Sequence, residues 1–523
     1  MDLATQADAP QANDAAGGDS WTRRLPDQAA TTRLAAEIAE LIRPGDFVTL
    51  SGELGAGKTT FARALIRRLT GDPELEAPSP TFMLVQVYDG LEAPVVHADL
   101  YRLQRPEELD ELGFEDAADG AFVIVEWPER GGSRLSADRL DLSFALDPEG
   151  GEEGRAVVVT GHGAFAERLA RARALETLLA ATPWRGARRE HMQGDASSRL
   201  FERLEREDGA TAILMISPPR PDGPPVRFGK PYSAIARLAE DIRPFIAIDR
   251  GLRAQGLSAP EIYAFDLDCG LILLEDLGVE GVLVDGAPDF ERYAVAAGAL
   301  AKLHATTLPE TIEIAPGDDY AIPPYDLDAL LIEVELFIDW YAPARGGAHL
   351  SSGAKATFVN LWKKILSSSL TLETTWTLRD YHSPNLLWLP KREGLARVGL
   401  VDFQDCVLGH PAYDVVSLLQ DARVDVSDAT ELRLLGAYAR WRREGAPAFD
   451  LAEFARAYAV LGAQRATKIL GIFARLDARD RKPHYLAHLP RVERYLRKNL
   501  RHESLAEIRA WCEAHAPRLV AEP

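Results

Sequence analysis

The sequence predicts two unrelated domains in tandem: an α/β domain built round a phosphate-binding loop, then an α+β domain of two lobes. Three observations carry this reading. Gly52-Glu53-Leu54-Gly55-Ala56-Gly57-Lys58-Thr59 satisfies G-x-x-x-x-G-K-[ST] at every fixed position, after an apolar strand and before a helical pattern. Far downstream, Arg379-Asp380-Tyr381-His382-Ser383-Pro384-Asn385 precedes Val401-Asp402-Phe403-Gln404, a spacing suited to phosphoryl transfer. The 523 residues exceed one ordinary domain.

The first domain is expected over 21–164. Thr31 to Ile42 has an amphipathic helical period, Arg43 to Asp46 turns, and Phe47 to Leu50 is a short strand feeding the loop. Thr60 to Leu69 continues as a helix. Phe82 to Tyr88, Val95 to Ala98 and Ala121 to Glu126 read as strands, and Arg139 to Leu146 with Arg155 to Thr160 as a hairpin.

The second domain is expected over 165–523, with a small lobe at about 185–278 and a helical lobe at about 279–523. Phe165 to Leu179 is an Ala-rich helix, a connector or the opening element of this domain. Leu200 to Arg206 and Ala210 to Ile216 pair across Glu207-Asp208-Gly209. Tyr232 to Gln255 reads as helical, and Leu271 to Asp276 as an apolar strand ending in acids. Helical patterns dominate from Asp289, interrupted by strands near Leu386 and Leu400.

Composition limits the functions available. Formal net charge is −21, which argues against broad binding to nucleic acid or anionic membrane. Arg63, Arg67 and Arg68 read as a solvated helix face. Cys269, Cys406 and Cys512 form no zinc-type spacing and suit a reducing cytosol. Residues 1–20 lack a signal-peptide pattern and read as a disordered tail, and no stretch is long and apolar enough to span a membrane. A cytoplasmic location is expected.

The chemistry of the first motif is direct. Gly52, Gly55 and Gly57 let backbone N–H groups converge on phosphate, and Thr60 follows in the helix. Lys58 reaches the outer phosphates of ATP and Thr59 offers a hydroxyl to Mg²⁺. Downstream come Ser79-Pro80-Thr81-Phe82, Val96-His97-Ala98-Asp99-Leu100-Tyr101-Arg102, Glu108 to Phe114 and Val123-Ile124-Val125-Glu126-Trp127-Pro128-Glu129. In that order, from Asp27 to Gly163, they resemble TsaE. This is the small ATPase subunit of the bacterial machinery that makes threonylcarbamoyladenosine in tRNA. The resemblance implies an α/β P-loop NTPase domain. It implies that Asp99 acts near Mg²⁺, that Glu126 orients or activates the attacking water, and that Thr81 senses the γ-phosphate. It also implies protein partners within the modification complex, with tRNA engaged only indirectly.

In the second motif, Asp380 is placed to take or orient a substrate hydroxyl proton, while Asn385 and Asp402 hold metal against ATP phosphates. Leu378 stands where a protein kinase has His, and Asp402-Phe403-Gln404 replaces Asp-Phe-Gly. With Leu300 to Ala305 and Gly409 to Val415, these features resemble the aminoglycoside-phosphotransferase branch, a protein-kinase-like bilobal α+β fold. Asp414 is expected to brace the catalytic loop. Gly194-Asp195-Ala196-Ser197-Ser198-Arg199 and Phe337-Ile338-Asp339-Trp340-Tyr341 resemble the AmgK-type kinases of cell-wall amino sugars. That resemblance, from about Leu175 on, implies ATP-dependent phosphorylation of the anomeric hydroxyl of N-acetylmuramate or N-acetylglucosamine. It implies nucleotide contacts from Gly194, Ser197, Ser198 and Arg199, with Glu275 at an adenine-binding hinge. Met215 stands where the phosphate-binding Lys is expected. Either another cation serves, Arg199 or Lys230, or the domain is a pseudokinase scaffold. Aminoglycoside, choline or another alcohol remains an alternative acceptor.

Overall fold

The computed structural model describes residues 20–192, 199–219, 223–345, 350–369 and 373–520. The chain divides between Arg185 and Gly186 into two compact units.

The first unit is a seven-stranded sheet with helices on both faces. Its strands are β1 (Ser20–Leu25), β2 (Phe47–Ser51), β3 (Val85–Tyr88), β4 (Val95–Asp99), β5 (Phe122–Glu126), β6 (Arg139–Leu146) and β7 (Arg155–His162), in spatial order β1-β7-β6-β2-β5-β4-β3. The centre is parallel: β2 pairs with β5 and β6, and β4 with β5. Central strands β4 and β5 are buried at every residue, which is why they read as unbroken apolar runs closing on an acid. Helix α1 (Gln28–Leu41) starts earlier than its apolar period suggested, because the Asp27 carboxylate accepts from the Ala30 N–H at 2.7 Å. Helix α2 (Lys58–Thr70) springs directly from the glycine loop.

Two expectations change here. Residues 82–84 are not strand: the Leu84 N–H donates to Pro80 O at 2.6 Å, and Leu84 adopts φ 64, so Thr81 to Leu84 turn before β3 begins. Helix α3 (Ala164–Ala180) does not open the second unit. Its Phe165 and Leu169 are buried in the core of the first, which moves the boundary from 164/165 to 185/186.

The second unit opens with an antiparallel sheet of β8 (Arg188–Met192), β9 (Leu200–Glu205), β10 (Thr211–Ile216), β11 (Ile262–Asp266) and β12 (Leu271–Glu275), ordered β11-β12-β10-β9-β8. The helix expected over 232–255 is two pieces. Arg237 adopts φ 57 and ends a short turn of helix, and Pro244, which lacks an N–H, starts α4 (Arg243–Ala254). The helical lobe is built on α5 (Phe290–Ala305), α6 (Leu327–Leu336), α7 (Ser352–Ser369), α8 (Ala412–Leu419), α9 (Asp428–Gly445) and α10 (Leu451–Ala478). The buried face of α10 runs nearly its whole length, so it is the spine of this lobe. Short strands β13 (Thr375–Thr377), β14 (Leu386–Trp388), β15 (Val398–Leu400) and β16 (Val407–Gly409) carry the loops of the second motif.

Candidate active sites

In the first unit the glycine loop, Asp99 and Glu126 meet at the carboxyl ends of β2, β4 and β5. This edge of a parallel α/β sheet is where ligands bind. Gly52 adopts φ 127, and a Cβ there would lie 2.2 Å from Phe144 O, so no larger residue fits. The cleft has a volume of about 510 Å³ and is lined by Gly55, Gly57, Lys58, Thr59 and Thr60, with Thr81, Asp99, Glu126 and Trp127 opposite.

Thr59 Oγ1 donates to Glu126 Oε2 at 2.8 Å, and His97 Nε2 lies 3.0 Å from Glu126 Oε1. Glu126 is thus bonded through both oxygens while buried. Asp99 accepts from the hydroxyls of Ser79 and Thr81 and from the Tyr101 N–H at 3.0 Å. The segment after α2 is therefore tied to the acid of the neighbouring strand. Lys58 Nζ donates to Gly52 O at 2.6 Å and Glu53 O at 2.9 Å, and sits 3.8 Å from the centre of the Trp127 ring. Burial lowers its pKa against the opposing pull of Glu126, Glu129 and Asp99. Trp127 adopts φ 63, and its N–H donates to Leu50 O at 3.1 Å.

In the second unit Asp380, Asn385 and Asp402 line one small crevice with Leu378, Tyr381 and Phe403. Asn385 Nδ2 donates to Asp380 O at 3.0 Å and Asp402 Oδ2 at 3.3 Å, welding the two loops. Asp402 adopts φ 60, and its Oδ1 accepts from Gln404 at 2.8 Å and from Arg199 Nη1 at 2.9 Å. The Asp380 side chain keeps 37% exposure, enough to meet a substrate. Burial raises its pKa, but the positive surroundings win and hold it below the ordinary carboxylate value. His382 is itself pushed down to about 4, chiefly by burial. Lys468, Arg465 and Arg379 are thus the lasting positive neighbours of Asp380 near neutral pH.

Asp414 accepts from the Leu378 N–H at 2.7 Å and the Arg379 N–H at 2.9 Å, so it braces the catalytic loop as expected. Sequence reasoning missed its companions. Asp421 accepts from the N–H and hydroxyl of Ser383. Glu333, wholly buried on α6, accepts from Tyr325, Arg379 and Gln464, and pairs with Lys468 at 2.7 Å. An acid inside the apolar run Leu330 to Phe337 was the available signal for Glu333.

Gly194, Ser197 and Ser198 lie outside the described residues. The Glu275 carboxylate is engaged by Arg392 and by the Glu261 N–H at 3.1 Å, and its own N–H donates to Glu261 O at 2.8 Å, so neither its side chain nor its N–H is left for a hinge role. Lys230 is exposed on the turn that joins it to Arg227.

Both donor sets suit a hard divalent cation. Each offers carboxylate, hydroxyl or amide oxygen, and the described residues contain no cluster of three or more His, Cys, Asp or Glu able to cage a metal alone. Mg²⁺ is commonly held this way, by one or two side chains together with phosphates.

Folds and sites of this kind define two classes of phosphate-handling enzyme, and comparison with known proteins gives the particular families. Residues 25–156 match the model of the threonylcarbamoyl adenosine biosynthesis protein TsaE, and residues 189–454 that of the phosphotransferase enzyme family. The chain is 38% identical over 351 residues to the N-acetylmuramate/N-acetylglucosamine kinase of Caulobacter vibrioides, covering 65% of this chain and 95% of that one. It is 32% identical over 322 residues to the kinase of the same description from Pseudomonas putida, covering 60% and 85%. It is 41% identical over 105 residues to the tRNA threonylcarbamoyladenosine biosynthesis protein TsaE of Rickettsia typhi, covering 20% and 72%. The chain belongs to the phosphotransferase enzyme family through its second unit and to the TsaE family through its first.

Proposed function

We propose that the chain is a bifunctional ATP-using enzyme. The first unit hydrolyses ATP in support of threonylcarbamoyladenosine modification of tRNA. The second transfers the γ-phosphoryl group of ATP to the anomeric hydroxyl of N-acetylmuramate or N-acetylglucosamine. The convergence of Asp380, Asn385 and Asp402 in one crevice carries the second reading, because a dead scaffold has no use for all three.

Asp380 accepts or orients the proton of the attacking hydroxyl. Asp402 and the Asn385 amide oxygen would hold Mg²⁺, which when bound neutralises phosphate charge. In the first unit, Thr59 would hold it, with Asp99 near its water shell and Glu126 beside the attacking water. Partner proteins are supported by the rim of that cleft. Leu54 is 83% exposed, Phe82 85% and Met83 61%, an apolar fringe that suits protein docking better than tRNA. With a net charge of −21, tRNA is reached through those partners. The cytoplasm, where ATP is made available, is the proposed site of both reactions. No helix among the described residues is long and apolar enough to cross a membrane.

The test is incubation with Mg-ATP and each sugar, with acid-labile sugar 1-phosphate measured for wild type, Asp380→Asn and Lys58→Ala. Product lost only in Asp380→Asn establishes an anomeric kinase independent of the P-loop. Silence of wild type toward both sugars and a panel of other alcohols returns the second unit to a scaffold.

A further inference from the structure

We propose that Arg199 is the phosphate-binding cation of the second site, and that Asp402 stores it until a divalent cation claims that carboxylate. This rests on reading the unit as a kinase. The position expected to supply a lysine is Met215, 2% exposed and packed in the apolar core of the unit. No cation can act from there. Arg199 immediately precedes β9, whose Leu200 pairs with Ile216 and whose Phe201 pairs with Met215. Side chains two apart on a strand share a face, so Arg199 lies one pleat beyond Phe201, beside the vacated position and on the neighbouring strand.

Its reach is on view. The guanidinium Nη1 lies 2.9 Å from Asp402 Oδ1, so the side chain crosses from the sheet lobe to the metal-binding loop of the helical lobe. Any triphosphate directed at Asp402 and Asn385 must come within its range. Lys230 is exposed on its turn, and other basic side chains among the described residues are committed elsewhere. Arg188, Arg189, Arg203 and Arg206 pair with Glu205, Glu202, Asp276 and Asp208 of the same lobe. Arg227 and Arg237 pair with Glu335 and Asp326 at the two ends of α6. Lys468 and Arg379 serve Glu333.

The bond that shows the reach also sets the regulation. Asp402 Oδ1 accepts from Arg199 and Gln404, and Oδ2 from Asn385. A divalent cation at Asp402 draws off the carboxylate's charge and competes with the guanidinium for its oxygens. The hold of Asp402 on Arg199 is then loosened, and the planar fork of donors on the guanidinium matches phosphate geometry better than an ammonium does. Cation and nucleotide are coupled through one side chain: Asp402 and phosphate compete for Arg199.

Opposite signs test this. ATP affinity is measured by calorimetry in EDTA on the full chain, in a Lys58→Ala background that silences the P-loop, with AMP as the probe lacking outer phosphates. Arg199→Met is expected to weaken ATP by about tenfold or more, and Arg199→Lys by less, with AMP unchanged. Asp402→Asn, which removes the carboxylate's charge from beside the guanidinium, is expected to tighten metal-free ATP by roughly threefold or more. A merely structural bridge gives the same sign for both variants, since either one breaks it. Weakening by both, or a parallel loss of AMP binding, overturns the proposal. Opposite signs without any sugar phosphate leave Arg199 in place and remove only the acceptor reading. No ATP binding in the Lys58→Ala parent, in EDTA or with Mg²⁺, removes the kinase reading and the proposal together. A thermal melt of each variant separates misfolding from lost affinity.

Discussion

The two phosphate sites keep their cations waiting in different ways. In the first unit Lys58 rests on neutral partners, the carbonyls of Gly52 and Glu53 and the face of Trp127. In the second, Arg199 rests on the full negative charge of Asp402. Dipoles and a ring quadrupole release a lysine to any arriving phosphate. A carboxylate yields its guanidinium to phosphate less readily, and most readily when another positive charge takes its place. The first site is therefore built to admit nucleotide readily, and the second to admit nucleotide and metal together.

The largest expected effects separate the sites. Asp380→Asn lowers sugar 1-phosphate formation by about a thousandfold and leaves hydrolysis by the first unit intact. Lys58→Ala does the reverse. A phosphatase-free assay of both activities on each variant checks this, and crossed losses would break the separation of the two sites. Because its positive neighbours outweigh burial, Asp380 stays ionised until pH falls below the ordinary carboxylate range. Any acid limb of the sugar-kinase rate between pH 5 and 8 would belong to another group.

The next effect is on stability and is confined to the second unit. The first site braces itself: its loop, its lysine and its hydroxyl are contiguous, and Glu126 and Asp99 close strands next to them. The second site is braced from afar. Glu333→Gln leaves Arg379 and Lys468 buried beside a neutral group and is expected to cost about 3–5 kcal/mol. Chemical denaturation should move the transition of the second unit and leave that of the first in place.

This contrast also explains what was legible in the sequence. The P-loop, the strand-ending acids and the Asp380, Asn385 and Asp402 set are local patterns, each flanked by an apolar strand, and all could be read directly. Glu333 and Asp421 act through contacts distant in sequence; the apolar run round Glu333 marks it as buried but not its partners, and nothing local marks Asp421. The misplaced start of the second unit has the same origin. The face of α3 that carries Phe165 and Leu169 is apolar whichever domain it joins, and only packing assigns it to the first core.

A smaller effect sharpens the comparison between buried acids. Asp99 and Glu126 of the first unit are bonded through both oxygens. Asp249 on α4 of the second is 1% exposed, and its Oδ1 has no hydrogen-bond partner among the described residues. Burial pushes its pKa from 3.8 up to about 7, with Arg253 and Arg250 opposing and Glu275 assisting. A raised carboxyl pKa contributes stability that is fully present below the unfolded value and is lost as pH rises through the folded one. Stability should therefore fall between about pH 4 and pH 7 on this account. Asp249→Asn imitates the neutral acid. It is expected to stabilise the second unit by about 2 kcal/mol at pH 8, within the roughly 4 kcal/mol that the full shift represents, and by almost nothing near pH 4. Equal melting curves for the two proteins across that range would show Asp249 satisfied in another way.

The smallest effect concerns Trp127 and reverses the usual sign of an active-site substitution. The ring holds Lys58 in its resting place, 3.8 Å from the ammonium, and a cation–π contact of this kind is worth about 0.5–2 kcal/mol. Phosphate must outbid it. Trp127→Leu removes the face while keeping apolar bulk, so ATP affinity at the first site should rise by roughly twofold to tenfold, with Trp127→Phe falling between. The measurement is ATP titration of the full chain carrying Arg199→Met and Asp402→Ala together, so that nucleotide binding at the second site is suppressed. Weaker binding in Trp127→Leu would mean that the ring contacts the nucleotide itself. The contrast between neutral and ionic storage would then have to rest on the Gly52 and Glu53 carbonyls alone, which the variant leaves untouched.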